Sequence, residues 1–593
     1  MATVFTVFLI SASYSQIIEL FPSGGGGYLV ATKLLGPGFG VVSGSALVID
    51  YMLTVATSVA SGCDAIYSLV GPQWAVFKLP SEFLVVVLLV ALNLRGIKES
   101  VAVLIPIFIA FVVTHLFFIG YGLFSHGTAL GSMAVDTIHD TQSAVHELGM
   151  LGVLIIFLRA FSLGGGTFTG IEAVSNGVQI LREPRVRTAK KTMLYMAASL
   201  SFTAGGILLC YLLANVHHEA GQTLNATLWR TLTANWKIGG VNVGAGLVWI
   251  TLLSECALLF VAAQTGFIDG PRTLSVMAVD NWVPKRFAHL SERLVTQNGV
   301  IIMGLATWAL ILYTRGKVDM LVVMYSINVF ITFTLSQLGM VRHWWEVRKT
   351  EAHWRRRMII AVVGTTVTGT ILIITSTVKF GEGGWVTLVV TGAFVGICFL
   401  VRGHYQHVRS VLRSLDEVLS DLPFHDQPVA PELAPDGPTG IVMVESYAGL
   451  GIHTVLTIQR MLPRHFKNLV FVSVGLVDSG QFKGHESVTH LEDKVRDDLE
   501  KYVDLAQKMG YYAEYRYTLG TDLIEELEQI CLDLQKEFRR TMVFAGQLVF
   551  QRETLFTRTL HHETAFAIQR RLQFAGVQVI ILPIRVWEQR RAH

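Results

Sequence analysis

Apolar and polar positions alternate along this chain on two different scales. Up to about residue 402 the apolar stretches are long and nearly uninterrupted. They run at roughly 2–20, 38–63, 82–95, 101–124, 150–181, 192–214, 244–268, 298–314, 318–340, 358–378 and 384–402. Most have the length an α-helix needs to cross a bilayer, so the pattern predicts eleven spans. After Arg402 the scale changes. A polar linker from Asp421 to Thr439 carries five prolines, which break regular structure. From Gly440 onward short apolar strands (near 440–445, 468–475, 512–518, 541–545 and 577–583) alternate with amphipathic helices (near 452–463, 488–509, 521–538 and 556–574). That alternation predicts a doubly wound parallel sheet of about 150 residues. The expected division is a transmembrane domain over 1–402, a helical and proline-rich linker over 403–439, and an α/β domain over 440–593.

Polar residues placed against this frame give an orientation. The links 182–191 (REPRVRTAKK), 272–293 and 342–357 are rich in Arg and Lys, as is 402–413. The alternate link 125–149 has neither, and 215–243 has only Arg230 and Lys237. Basic links face the cytoplasm, so the C-terminus is expected there and Met1 outside. Link 125–149 then reads as an outer loop carrying His126, His139 and His146, and these have no companions at metal-ligand spacing.

Composition agrees with a membrane class. Hydrophobic residues make up 52% of the 593 and charged residues 15%, against about 25% charged in soluble domains. Mean hydropathy is +0.50. The five cysteines (Cys63, Cys210, Cys256, Cys398 and Cys531) are scattered and read as apolar fillers. In the tail, GLGIH (449–453) lacks the third glycine of a dinucleotide fingerprint and no phosphate loop is present, so the chain is not expected to be an enzyme.

Chemistry concentrates where long apolar segments are broken. FLRAFSLGGGTFTGIEAVSNG (157–177) places Gly164, Gly165 and Gly166 in mid-segment, with Ser162, Thr167 and Thr169 beside them and Glu172 beyond. A glycine triplet is poor helix material. Unwound backbone at membrane depth is tolerated only around a cavity, where its freed groups bind ions or polar solutes. The alternative is a glycine face for close helix packing. In the second segment Asp50, Thr54 and Ser58 are spaced i, i+4, i+8, which lines one stripe of a helix with oxygens suited to a hard cation. A Ser/Thr packing stripe is the competing reading. Glu172 is a candidate for proton coupling, since desolvation penalises the charged form of a carboxyl. Arg159, across the break, is placed to pair with Glu172 or with a phospholipid head group. Glu255, in LLSECALL, is a third intramembrane carboxylate, and Tyr325, in MYSINVF, offers a hydroxyl.

These stretches carry a resemblance. PSGGGGYLVA (22–31), GSALVIDYMLTVATSVASG (44–62), LNLRGIKES (92–100) and FLRAFSLGGGTFTGIEAVSN are similar to the amino acid–polyamine–organocation (APC) transporter superfamily. Within it they most resemble the bacterial KUP/KimA-type potassium importers. The likeness extends through FTLSQLGM (333–340) and more loosely into the tail. It implies a LeuT-like inverted repeat of five plus five helices, with two more following. It also implies potassium–proton symport across the plasma (inner) membrane, with oxygen ligands at Asp50, Thr54, Ser58, Thr169 and Tyr325 and proton coupling at Glu172. For the tail it implies a cytoplasmic domain like universal stress proteins, which forms a homodimer and receives cyclic di-AMP. No other cofactor and no nucleic-acid partner is expected.

Two alternatives remain at this stage. One keeps the fold and changes the cargo to an amino acid or polyamine, with Glu255 taking the ammonium group. The other is a membrane-anchored nucleotide sensor that no longer transports. Against the family pattern the chain begins inside the second helix. About 40 to 50 further residues are therefore expected upstream of Met1, enough for one apolar span with an Asp and a Tyr and a short leader.

Overall fold

Ten of the eleven apolar segments fold as helices and the stretch 150–181 contributes to two in the computed structural model, which describes residues 2–22, 24, 26–96, 101–164, 168, 170–178, 181–238, 241–291, 295–417, 432–477, 485–549 and 564–585. Among the described residues eleven helices are long and apolar enough to cross a membrane. The chain divides into two compact units, residues 1–274 with 298–396, and residues 275–297 with 397–593.

The first unit opens with α1 (Ala2–Leu20), the short α2 (Gly26–Leu34) and α3 (Pro37–Val70). Then come α4 (Lys78–Leu94), α5 (Val101–Ser125), α6 (Leu130–Leu163), a six-residue α7 (Ile171–Asn176) and α8 (Arg185–Leu213). The series continues through α9 (Leu224–Thr233), α10 (Val243–Val279), α11 (Gln297–Thr314), α12 (Val318–Glu346), α13 (Trp354–Val378) and α14 (Gly384–Glu417). The last of these helices carries the chain into the second unit.

α3 lies at the centre of the first unit, with 83% of its most apolar window buried. It packs along α12, and glycines bring α10 unusually close. A Cβ at Gly266 would lie 2.9 Å from the main-chain oxygen of Tyr51, one at Gly270 3.3 Å from the Tyr51 Cβ, and one at Gly62 2.7 Å from the Phe260 ring. Small residues that admit a neighbouring backbone are what holds helices together in lipid, where no hydrophobic drive operates between them. α10 is tied to α4 in turn by a reciprocal amide pair. Asn93 Nδ2 donates to Gln264 Oε1 at 2.9 Å, and Gln264 Nε2 donates back to Asn93 Oδ1 at 3.1 Å.

One expectation needs correction here. The link 125–149 is not an open loop. After a short turn at Gly127–Ala129 it is helical from Leu130, and the only non-helical residue inside α6 is Gly149 (φ 74°, ψ 165°). Polarity suggested a loop, but no proline or glycine interrupts Ser132–Leu148. Its hydroxyls also bond back along the helix, Thr137 to the Met133 carbonyl and Thr141 to that of Thr137. His139 and His146 are exposed on this helix.

The second unit carries a five-stranded parallel sheet of β1 (Thr439–Met443), β2 (Asn468–Leu476), β3 (Tyr512–Gly520), β4 (Thr541–Val549) and β5 (Val579–Arg585). The strand order is β3-β2-β1-β4-β5, with Ile441 level with both Val470 and Val543. Its helices are α15 (Gly449–Met461), α16 (His485–Lys508), α17 (Leu523–Glu537) and α18 (Thr564–Phe574). Successive strand residues point to opposite faces. Val442, Phe471 and Phe544 therefore meet Val455, Leu499 and Tyr502 of α15 and α16, while Ile441, Val470 and Val543 meet Leu527, Cys531 and Ile568 of α17 and α18. Both faces are covered, which is why the strands read as unbroken apolar runs. Residues 556–563 of the expected last helix lie outside the described residues.

Candidate functional site

The expected span 150–181 is two helices. α6 ends at Leu163, and α7 begins at Ile171 after Gly170, whose φ of 82° is left-handed. Of the glycine triplet, Gly164 is described and lies near Thr3; Gly165, Gly166 and Thr169 lie outside the described residues. Phe168 is buried, and its ring meets Phe330 edge-on.

Beyond the break Glu172, 3% exposed, turns toward α3 and meets Asp50, 1% exposed. Their carboxyl groups are within hydrogen-bonding reach of each other. Yet Asp50 Oδ1 and Glu172 Oε2 have no partner. An ionised carboxylate only accepts hydrogen bonds, so a bond between two carboxyls requires a proton on one of them. The pair therefore combines a place for a proton with buried oxygens that still need a donor or a cation. Thr54 and Ser58 continue the stripe along α3, 7% and 8% exposed. Tyr325 is buried on α12, the helix that packs along α3.

Several residues around the pair were not picked out from sequence. The Tyr14 hydroxyl, from α1, faces Ser336 of α12 within the electrostatic field of Glu172 and Asp50. Tyr51, next to Asp50, accepts a hydrogen bond from Asn176 Nδ2 at 2.5 Å, which ties the end of α7 to α3. Asp269 of α10, 7% exposed, is the next carboxylate acting on Glu172. It escaped notice because FIDGPR reads as the basic rim of a link. The glycine-rich turn at 22–27 also has a definite role. Gly26 (φ 49°) is pressed against the Asn176 carboxamide and has no room for a Cβ. Gly27 lies against Thr332, Ser336 and Ser43. Its glycines are there for close approach, and only the local motif hinted at this.

The two remaining candidates have other partners. Arg159 pairs with Glu382 at 2.9 Å, not with Glu172. Glu382 is also paired with Lys379, which, with Arg159 adding, holds its carboxyl below the usual carboxylate range. Glu255 Oε1 accepts from Asn225 Nδ2 at 2.9 Å, and the Asn225 Oδ1 accepts from the Tyr211 hydroxyl at 2.5 Å. On α10 it lies level with Gly62 of α3, twelve residues and so about 18 Å along the helix from Asp50.

Comparison with known proteins follows the first unit. Residues 1–403 match a family model described as amino acid permease. The chain is 31% identical over 407 residues to the potassium transporter KimA of Bacillus subtilis (strain 168), in an alignment covering 68% of this chain and 64% of that protein. The chain thus spans under two thirds of the relative's length.

Proposed function

This chain belongs to the amino acid permease family, and from that premise we propose that it takes up potassium together with protons through the Asp50–Glu172 site. The observation that carries this reading is the carboxyl pair itself. With one shared proton the pair bears a single negative charge, and one bound potassium ion brings it to zero. Buried charge is costly unless compensated, so the loaded site is stable only when it holds both the proton and the cation. That mutual dependence is a coupling free energy between two ligands.

In this reading Asp50, Thr54, Ser58, Thr169 and Tyr325 supply oxygens to the ion, while Gly164, Gly165 and Gly166 free the backbone beside it. Glu172 holds the proton. The similarity to a protein named as a potassium transporter supports the cargo. Glu255, the carboxylate offered for an amino acid or polyamine cargo, has one oxygen bonded to Asn225 and one without a hydrogen-bond partner, but it lies far along α10 from the Asp50–Glu172 pair. The rest of the reading is a LeuT-like inverted repeat within 1–402, joined through 403–439 to a cytoplasmic regulatory domain at 440–593. The parallel sheet with both faces covered supports a universal-stress-protein-like module, for which a homodimer and a cyclic dinucleotide ligand are the proposed partners. The plasma membrane is the proposed location, with the basic links and the C-terminus inside.

The test is uptake by proteoliposomes holding the purified chain. Potassium should accumulate under an inwardly directed proton gradient, while a mixture of amino acids and polyamines should not. Potassium uptake no greater than in protein-free liposomes would overturn the proposal.

A further inference from the structure

A second group of oxygens gathers where α3 ends, α4 begins and α11 turns into α12. Glu82, in the second turn of α4, is fully buried at 0% exposure, and neither of its carboxylate oxygens has a hydrogen-bond partner. It is pressed against Gly316, in the turn between α11 and α12, whose φ is +66° and where a Cβ would run into both Glu82 oxygens. One turn back on α4, the Lys78 ammonium sits against Asp64 of α3, 3.2 Å from the Gly316 carbonyl oxygen and 3.7 Å from Glu82. Asp319, in the first turn of α12, adds its charge to the field on Asp64. The side chains of Lys78 and Asp64 are 23% and 31% exposed. The cage is therefore open to solvent on their side and closed at Glu82.

Two carboxylates and one main-chain carbonyl surround a single ammonium here. The ammonium is bound to Asp64 and Gly316 and pairs with Glu82 only at 3.7 Å, beyond hydrogen-bond distance, so the carboxylate at the bottom of the cage has an ion pair but no hydrogen bond. Carboxylate and backbone carbonyl oxygens are the ligands of hard divalent cations. Among the described residues no three His, Cys, Asp or Glu side chains gather as a metal site, so this cage depends on its main-chain oxygen. Lysine is a compact charge on a flexible stem and can leave toward solvent without moving the helix that bears it.

We propose that Asp64, Glu82 and the Gly316 carbonyl form a solvent-accessible site for a hard divalent cation, and that Lys78 is a tethered stand-in which the ion displaces. Occupation joins α3, α4 and the α11–α12 turn through one ion. The site is separate from the Asp50–Glu172 pair.

Displacement of Lys78 can be read directly on the wild-type chain in detergent. Labelling by an N-hydroxysuccinimide ester, quantified by mass spectrometry, is compared in calcium, magnesium, potassium and choline chloride at matched ionic strength. Lys78 labelling should rise severalfold in calcium or magnesium alone, while the exposed Lys237 stays constant. Equal labelling in all four salts overturns the proposal, and a rise in potassium as large as in calcium overturns the divalent assignment. In a second arm Lys78→Met is built on Asp50→Asn, which removes the central site. Calcium should raise its melting temperature, and adding Glu82→Gln should abolish that rise. A calcium-independent melt, or a rise that survives Glu82→Gln, refutes the cage. If Glu82→Gln does not fold, the wild-type labelling still decides.

Discussion

Gly26→Ala tests the linkage between the glycine-rich turn and the broken helix. Gly26 has a φ of 49° and lies against the Asn176 carboxamide. A non-glycine residue in this left-handed region costs about 1 kcal/mol. The added methyl also displaces the Asn176 side chain, whose Nδ2 donates to Tyr51 at 2.5 Å. Leaving a buried polar group unpaired costs about 1–3 kcal/mol. Together these come to about 3 kcal/mol, or roughly a hundredfold fall in the population with α7 correctly docked. Potassium uptake by proteoliposomes should fall accordingly, and the melting temperature of the detergent-solubilised chain should drop. Gly38→Ala is the control, because nothing lies within 4 Å of a Cβ there. Adding Asn176→Ala to Gly26→Ala should recover part of the melting temperature, since the overlapping atoms are gone. A Gly26→Ala chain that melts and transports like wild type refutes the linkage.

Asp50→Asn keeps the shape and removes the charge nearest the proposed ion. At an effective dielectric near 20 such a charge contributes about 4 kcal/mol at about 4 Å. Uptake should nearly vanish with expression intact, and near-normal uptake would return Asp50 to a packing role. Glu172→Gln should make flux insensitive to an imposed pH gradient while weakening potassium affinity less; an unchanged pH profile counts against a proton role. In the second unit, burial lowers the pKa of His453, whose Nε2 has no hydrogen-bond partner. The unfolded chain therefore takes up this proton first, at a pKa of about 6.5. Stability of residues 437–593 should be fullest above that pH and decline as pH falls through it, and His453→Gln should flatten the profile in pH-dependent urea melts. The same fragment should dimerise, since an open parallel sheet leaves edges to cover; light scattering that shows only monomer would place the dimer contact elsewhere.

What could be read from the sequence follows the range of the interactions. Membrane helices and buried parallel strands advertise themselves in consecutive residues, and all nine elements expected after Gly440 appear near their expected positions, the last helix in its described part. Asp50, Thr54 and Ser58 fall on one stripe because helical spacing alone puts them there. Pairings across the fold were not legible. Arg159 finds Glu382, 223 positions away, and nothing near either residue announces it. Asn176 was passed over as the end of a motif, although it joins three elements. α6 was misjudged for the opposite reason: its polar surface resembles a loop, and only its lack of breakers pointed to a helix.

The crossing of α3 and α10 has a mechanical consequence. Glycines let the two backbones touch from Tyr51 to Gly62, and the Asn93–Gln264 pair clamps α4 onto the same body. Asp50 is therefore mounted on a stiff frame. Glu172 is mounted on six residues, too few to hold a helix without their neighbours, and those neighbours are α1, α2 and α8 and, through Asn176, α3. One carboxyl of the pair is thus carried by long packed helices and the other by a single short helix tied to α3 through Asn176 and Tyr51. In the proposed reading, a shift of α7 that parts the two carboxyls leaves the shared proton on one of them. On that reading the pair is a strain gauge, converting displacement of a short helix into the position of a proton.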